Sequence, residues 1–214
     1  MADTPSLCLG NVLLERYILV EVLNERVFVA NDDRSGRKVI VKCAEKAQIE
    51  RESLCMNHCR SPYTARPIET LPNILILPYV SGKSVLTFSS DQIHLFMSLI
   101  PKIVRAIEYV HQSGWVHGDI KPSNVLYLSH LDSINLIDYG AAWPIGTPLS
   151  RLSEWQLTPG FSRSSKEMGI GSVESADDWY ALAKWLKQID ASSLSVRNRL
   201  QLARWQDWLK ENYV

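Results

Sequence analysis

His117-Gly118-Asp119-Ile120-Lys121-Pro122-Ser123-Asn124 lies in the middle of the chain, a polar block between two apolar stretches. Those flanks imply a partly buried backbone, where an Asp without a partner is costly. Upstream, apolar residues at Ile93, Phe96, Ile100, Ile103, Val104, Ile107 and Val110 have helical spacing, so a long helix is expected over Asp91–His111, capped by Ser90 or Asp91. Downstream, the apolar runs Asn124–Tyr127 and Ile134–Ile137 predict a strand pair. The second run leads into Asp138-Tyr139-Gly140, a turn placed just after a strand, where ligand loops tend to lie.

Further out, the first third of the chain reads as strands. Tyr17–Leu23, Val27–Ala30 and Lys38–Lys42 are rich in β-branched residues and are separated by Asn24-Glu25-Arg26 and Asp32-Asp33-Arg34-Ser35-Gly36. A helix is expected over residues 45–58, free of Gly and Pro, and another strand over Asn73–Tyr79 that ends at Ser81-Gly82. Two more apolar helices are expected at Ala176–Gln188 and Ser195–Asn212, with Trp205 and Trp208 as packing residues of the last. The pattern predicts a small sheet lobe, a linker near residues 78–83 and a mostly helical lobe.

Four chemical features then occur in one order: Lys42 at a strand end, Glu52 in the following helix, the His117–Asn124 block, and Asp138. Each alone has a bland reading, as a solvated strand end, a helix-surface charge or a turn. Together they suit phosphoryl transfer, which depends on positioning and on spreading negative charge. A carboxylate and an amide oxygen suit magnesium, a lysine steadies phosphates, a glutamate holds that lysine, and a second carboxylate orients the attacking hydroxyl.

In these residues the chain resembles the eukaryotic-like (Hanks-type) Ser/Thr protein kinases, over roughly Tyr17–Gln188. The resemblance implies an α+β, two-lobed protein-kinase-like fold with a small β-rich N-lobe and a truncated, mainly helical C-lobe. Residues 1–214 would form a single minimal kinase domain, about 15–79 in the first lobe and 80–214 in the second. It assigns Asp119 as the catalytic base and Lys121 as the γ-phosphate contact that marks Ser/Thr kinases. Lys42 becomes the nucleotide-phosphate lysine, Glu52 its partner with Glu50 as the competitor, and Tyr79 a hinge residue before Gly82. Asn124 and Asp138 become magnesium ligands, and Asp178 the buried anchor of the catalytic loop. ATP and Mg2+ are the implied cofactors, a protein the implied substrate, and a monomer the implied working form.

The pattern also departs from that family. No Gly lies between Leu23 and Val29, so a glycine-rich phosphate loop is missing and weak nucleotide affinity is expected. Ile40 stands where Ala is usual. Gly118 replaces the Arg usual before the catalytic Asp, which argues against control by activation-segment phosphorylation. Thr158-Pro159-Gly160-Phe161 and Glu167 are faint counterparts of the usual Ala-Pro-Glu region, and a second lobe without the usual distal helices is expected. These shortenings resemble compact bacterial effector kinases of the OspG type and imply an activating protein partner.

Composition sets outer bounds. The 214 residues are 46% hydrophobic and 21% charged, with 23 basic and 23 acidic side chains, so no basic excess points to nucleic acid. Apolar runs such as Ile74–Leu77 are too short to span a bilayer, and Met1-Ala2-Asp3-Thr4-Pro5 lacks the start of a secretory signal. Four cysteines without a framework pattern favour a reducing, cytoplasmic setting, with delivery into a host cell as the effector alternative. Cys55, His58 and Cys59 cluster, but no second ligand pair follows at zinc spacing. A small-molecule phosphotransferase, which also uses His-Gly-Asp and a downstream Asn, and a pseudokinase acting as a binding module remain the competing readings.

Overall fold

The computed structural model describes residues 8–152 and 160–213; the opening residues Met1–Pro5 and the Thr158–Pro159 pair noted above lie outside them. The chain forms two compact units. One is the chain up to His58 together with Ala65–Ser81; the other is Cys59–Thr64 together with the chain from Gly82 onward.

The first unit holds strands β1 (Val12–Leu13), β2 (Tyr17–Asn24), β3 (Val27–Asp32) and β4 (Arg37–Cys43), helix α1 (Lys46–His58), and strands β5 (Glu69–Thr70) and β6 (Ile74–Pro78). They make one antiparallel sheet in the order β1-β2-β3-β4-β6-β5. Register explains the core. Leu19 pairs with Ala30 and Ala30 with Val39; Phe28 pairs with Val41 and Val41 with Ile76. These residues share one face and are buried together with Tyr17 and Cys43. Because side chains alternate, Lys42 stands on the opposite face, paired with Val27 and Leu75.

β2 and β3 are joined by the two-residue turn Glu25–Arg26, with Asn24 opposite Val27. The Asn24 side chain accepts from the Arg26 N–H at 2.9 Å, an Asx-type turn lock. At the other end of β3, Arg16 grips the Asp32 carboxylate with two donors at 2.6 and 2.8 Å, and Ser35 donates to it at 2.6 Å. The Arg16 and Ser35 bonds hold the Asp32 carboxyl well below the usual carboxylate range. Tyr17, buried and donating to Glu69 at 2.9 Å, has its phenol pushed up to about 12 by burial and by that acceptor.

The second unit runs β7 (Lys83–Ser84), α2 (Ile93–Gln112), β8 (Trp115–Val116), β9 (Val125–Leu128), β10 (Ser133–Leu136), β11 (Trp143–Pro144), α3 (Ser164–Glu167), α4 (Ala176–Lys187) and α5 (Val196–Asn212). β10, β9 and β7 form one small sheet in that order, and β11 pairs with β8. α2 buries Phe96, Met97, Ile100, Ile103, Ile107 and Val110, and Phe96 meets Trp185 of α4 at 5.2 Å. Trp179 of α4 meets Trp208 of α5 edge-on at 6.0 Å and stacks on Tyr213 at 4.5 Å. Trp205 packs edge-on against Trp208 at 5.5 Å. The Ser195 side chain caps α5 through the Asn198 N–H.

Three expectations need correction. The long helix is entered through a 3-10 turn over Ser90–Gln92 whose cap is Ser89, because the Gln92 side chain reaches back to the Ser89 N–H at 3.3 Å. The linker region does not extend through residue 83: Lys83–Ser84 forms β7 and pairs with β9. Cys59–Thr64 belongs with the second unit, where Thr64 bridges to Leu136 and the Leu136 N–H donates to Tyr63 O at 2.7 Å.

Candidate catalytic and metal-binding site

In the first unit, Lys42 Nζ lies 2.9 Å from Glu52 Oε1 and 2.8 Å from Oε2. Helix phase decides this pairing. Ile49, Glu52, Ser53 and Met56 share the buried side of α1, whereas Glu50 is exposed and meets Lys46 at 3.8 Å. Glu52 is fully buried and the Lys42 side chain is 13% exposed, so this ion pair is largely dry. Tyr79, past the end of β6, donates its N–H to Lys38 O at 3.3 Å and exposes its ring beneath Lys38 Nζ.

In the second unit, the polar block forms the loop after β8. Its backbone hangs on Asp178, from the first turn of α4. One carboxylate oxygen accepts from the His117 N–H at 2.8 Å, the other from the Gly118 N–H at 2.8 Å. His111, in the last turn of α2, donates Nε2–H to the same carboxylate at 2.9 Å. Burial alone would raise the Asp178 pKa, but the His111 bond, the fields of His111 and His117 and the backbone donor outweigh it, and the carboxyl titrates below its usual range.

Gly118 is required by geometry. Its φ is +78°, and a Cβ there would run into the Ala141 carbonyl oxygen. His117 is fully buried. Its Nδ1 accepts from the Asp119 N–H at 3.3 Å, so Nε2 carries the proton and donates to Ile137 O at 3.2 Å. Burial lowers its pKa, so the imidazole stays neutral near pH 7.

This scaffold brings Asp119, Lys121 and Asn124 together. Asp119 Oδ2 accepts from Lys121 Nζ at 2.7 Å and from Asn124 Nδ2 at 2.9 Å. The same Asn124 nitrogen donates to the Asp119 carbonyl at 2.9 Å. With Nδ2 committed to two acceptors, the amide orientation follows, and Oδ1 is the remaining donor atom for a cation, touched by the Ser123 hydroxyl at 3.3 Å. Asp138 follows β10, its predecessor Ile137 tied by N–H to Asn124 O at 2.9 Å. Asp138 has φ 64° and ψ 72°, a left-handed conformation that costs a non-glycine residue about 1–3 kcal/mol. An amide oxygen and a carboxylate fit a hard divalent cation that keeps water and phosphate oxygens as its other ligands.

Sequence reasoning missed three groups. His111 reads in sequence as an ordinary helix-end histidine; its place six residues before His117 is the one hint. Tyr139, fully buried, hydrogen-bonds through its hydroxyl to Thr64 at 2.6 Å and packs on His117 at 4.6 Å. Finally, Arg163 and Lys166 converge on Asp177 at 2.8 and 2.6 Å, and Arg163 also holds Glu174 at 2.6 Å. Glu167 is exposed on α3, while its neighbour Lys166 is buried and reaches the Ser172 carbonyl. Gly118, Asp119, Trp143, Phe161, Arg163 and Lys166 are among the residues that line a hollow in the second unit.

Comparison with known proteins bears on family and fold. The protein kinase domain model matches residues 25–186. A probable serine/threonine-protein kinase of Streptomyces coelicolor is 28% identical over 160 residues, covering 61% of this chain and 23% of that protein. The serine/threonine-protein kinase PknD of Chlamydia pneumoniae is 27% identical over 165 residues, covering 62% of this chain and 18% of its own length. The chain thus spans about a quarter or less of these relatives. Among solved structures, the Cydia pomonella granulovirus kinase PK-1 superposes with a TM-score of 0.69 at 20% identity, over 88% of this chain and 75% of that one, a likeness of fold. With the matched region running from the β2–β3 turn to the end of α4, the chain belongs to the protein kinase domain family.

Proposed function

We propose that this chain transfers the γ-phosphoryl group of Mg-ATP to Ser or Thr hydroxyls of a protein substrate, residues 15–79 and 80–214 acting as parts of one catalytic domain. The observation that carries the reading is the Asp119 carboxylate, gripped by Lys121 and Asn124 on a loop hung from Asp178. The acceptor oxygen forms a bond to the γ-phosphorus as the bond to the β-phosphate oxygen breaks, and Asp119 takes the hydroxyl proton. ADP leaves with the former bridging oxygen. Lys121, already against Asp119, neutralises charge on the transferring group. Lys42, oriented by Glu52, serves the nucleotide phosphates, and Tyr79 the adenine end. Magnesium, held by Asn124 and Asp138, would neutralise phosphate charge when bound.

The test is transfer of labelled phosphate from ATP to the protein itself and to a generic basic substrate. Asp119→Asn should keep nucleotide binding and lower transfer by about 10²–10⁴. Asp138→Ala should remove the magnesium dependence of nucleotide binding. Wild-type transfer in both variants would reject the assignment.

The β2–β3 turn favours a second reading, a pseudokinase that serves as a binding module, since its two residues bring no glycine-loop amides to phosphates. The same turn leads us to propose low basal activity, raised at least tenfold by an activating protein partner that tightens ATP binding by linkage. Full activity and micromolar ATP affinity of the isolated chain would reject partner dependence. No transfer with or without cell extract would favour the pseudokinase.

A further inference from the structure

We infer that Thr64 and Tyr139 are positioning residues for Asp138, their hydroxyl pair clamping the segment that carries this carboxylate. The inference rests on the reading of Asp138 as a cation ligand. Asp138 occupies a left-handed conformation that its own side chain does not favour, so its neighbours must hold it. Thr64 does so from both sides. Its backbone bridges to Leu136, two residues before Asp138, and its hydroxyl meets the Tyr139 hydroxyl at 2.6 Å, one residue after.

The clamp is buried and continuous. Thr64 and Tyr139 are both buried, and Cys59 Sγ lies 3.6 Å from the Thr64 hydroxyl as its further partner. His117 closes the other side, its Nε2–H on Ile137 O and its ring against Tyr139. Beyond Tyr139, Ala141 packs against Gly118 with no room for a side chain between them. A phenylalanine at position 139 would keep the ring packing and lose the hydroxyl bond. The hydroxyl therefore adds a directional constraint that packing alone lacks.

The experiment compares Tyr139→Phe, Thr64→Val, Thr64→Ser, the Tyr139→Phe/Thr64→Val double variant and Asp138→Ala. The readouts are hydrogen exchange of the 138–142 amides, ADP affinity by calorimetry with and without Mg2+, and melting temperature. Tyr139→Phe and Thr64→Val should speed exchange at 138–142 and weaken the Mg2+-dependent part of ADP binding by about three- to tenfold, the worth of one hydrogen bond. Metal-free ADP affinity should stay unchanged. Thr64→Ser should restore both readouts. The double variant should be no weaker than Thr64→Val, because either single variant already breaks the hydroxyl pair. A lower melting temperature with unchanged local exchange and unchanged Mg2+ dependence would mean that the pair only stabilises the fold, and would overturn the inference. In that case Asp138→Ala would still abolish the Mg2+ effect. If Asp138→Ala leaves the Mg2+ effect intact, the cation assignment itself falls and this inference with it.

Discussion

His117 is surrounded by the carboxylates of Asp178, Asp119 and Asp138, all of which favour its charged form, yet burial wins and its pKa is lowered. A histidine with a depressed folded-state pKa contributes stability that is present above its unfolded value, about 6.5, and lost as pH falls through the folded one. Asp178, also depressed, adds a loss of the same sign at lower pH, below the ordinary carboxylate range. Protonation at Nδ1 would also break the bond from the Asp119 N–H. Denaturant titrations should show stability level above about pH 7 and declining from about pH 6 downward, and His117→Asn should flatten the upper part of that decline. A wild-type profile flat from pH 7.5 to 4.5 would contradict this. Gly118→Ala should destabilise by at least about 1–2 kcal/mol from the left-handed backbone alone, before the contact with Ala141. Because Gly118 offers no cation, phosphatase treatment should barely change transfer activity. Spacing in the sequence was enough to pick Asp119, Lys121 and Asn124. Choosing Glu52 over Glu50 needed the phase of α1 to be followed to Ile49 and Met56. Thr64 and Tyr139 could not be paired by any local pattern, since 75 residues separate them.

Elements long enough to show a period were legible, and the others were not. α2 declares itself by an apolar stripe over 20 residues, and β2 to β4 by their β-branched content. β1, β5, β7, β8 and β11 have two residues each, too few for any alternation, and only pairing partners define them. Lys83–Ser84 therefore passed for linker. Near the C-terminus, α5 is weakly amphipathic, yet Leu202 and Leu209 are buried and Trp208 packs on Trp179 of α4. Leu209→Ala should cost about 2–5 kcal/mol by leaving a cavity. Because α4 carries Asp178, the same variant should speed hydrogen exchange at His117 and Gly118. A Leu209 variant as stable as wild type would show that α5 is not part of the cooperative unit.

The whole molecule is electrically balanced, with formal charge zero and an isoelectric point near 7.0. Proteins are least soluble where net charge vanishes, so precipitation by polyethylene glycol should need the least precipitant near pH 7 and clearly more at pH 8.5. A solubility that does not change between those values would disagree. Among the described residues, no helix is long and apolar enough to cross a membrane. The two units differ in how the chain builds them. The first closes within its first 81 residues, while the second takes Cys59–Thr64 from inside the first and the rest from Gly82 onward. On a ribosome adding about 5–20 residues per second, Thr64 emerges roughly 4 to 15 seconds before Tyr139, given their separation of 75 positions. Until then its hydroxyl lacks the Tyr139 partner and its backbone the Leu136 bridge, whatever the state of the strands already made. Asp138 and the Thr64 contacts that bracket it can therefore reach their native arrangement only late in synthesis. A nascent chain stalled before residue 136 should carry a protected β-sheet with Lys42 on Glu52, and an Asp119 loop that still lacks its Asp178 anchor.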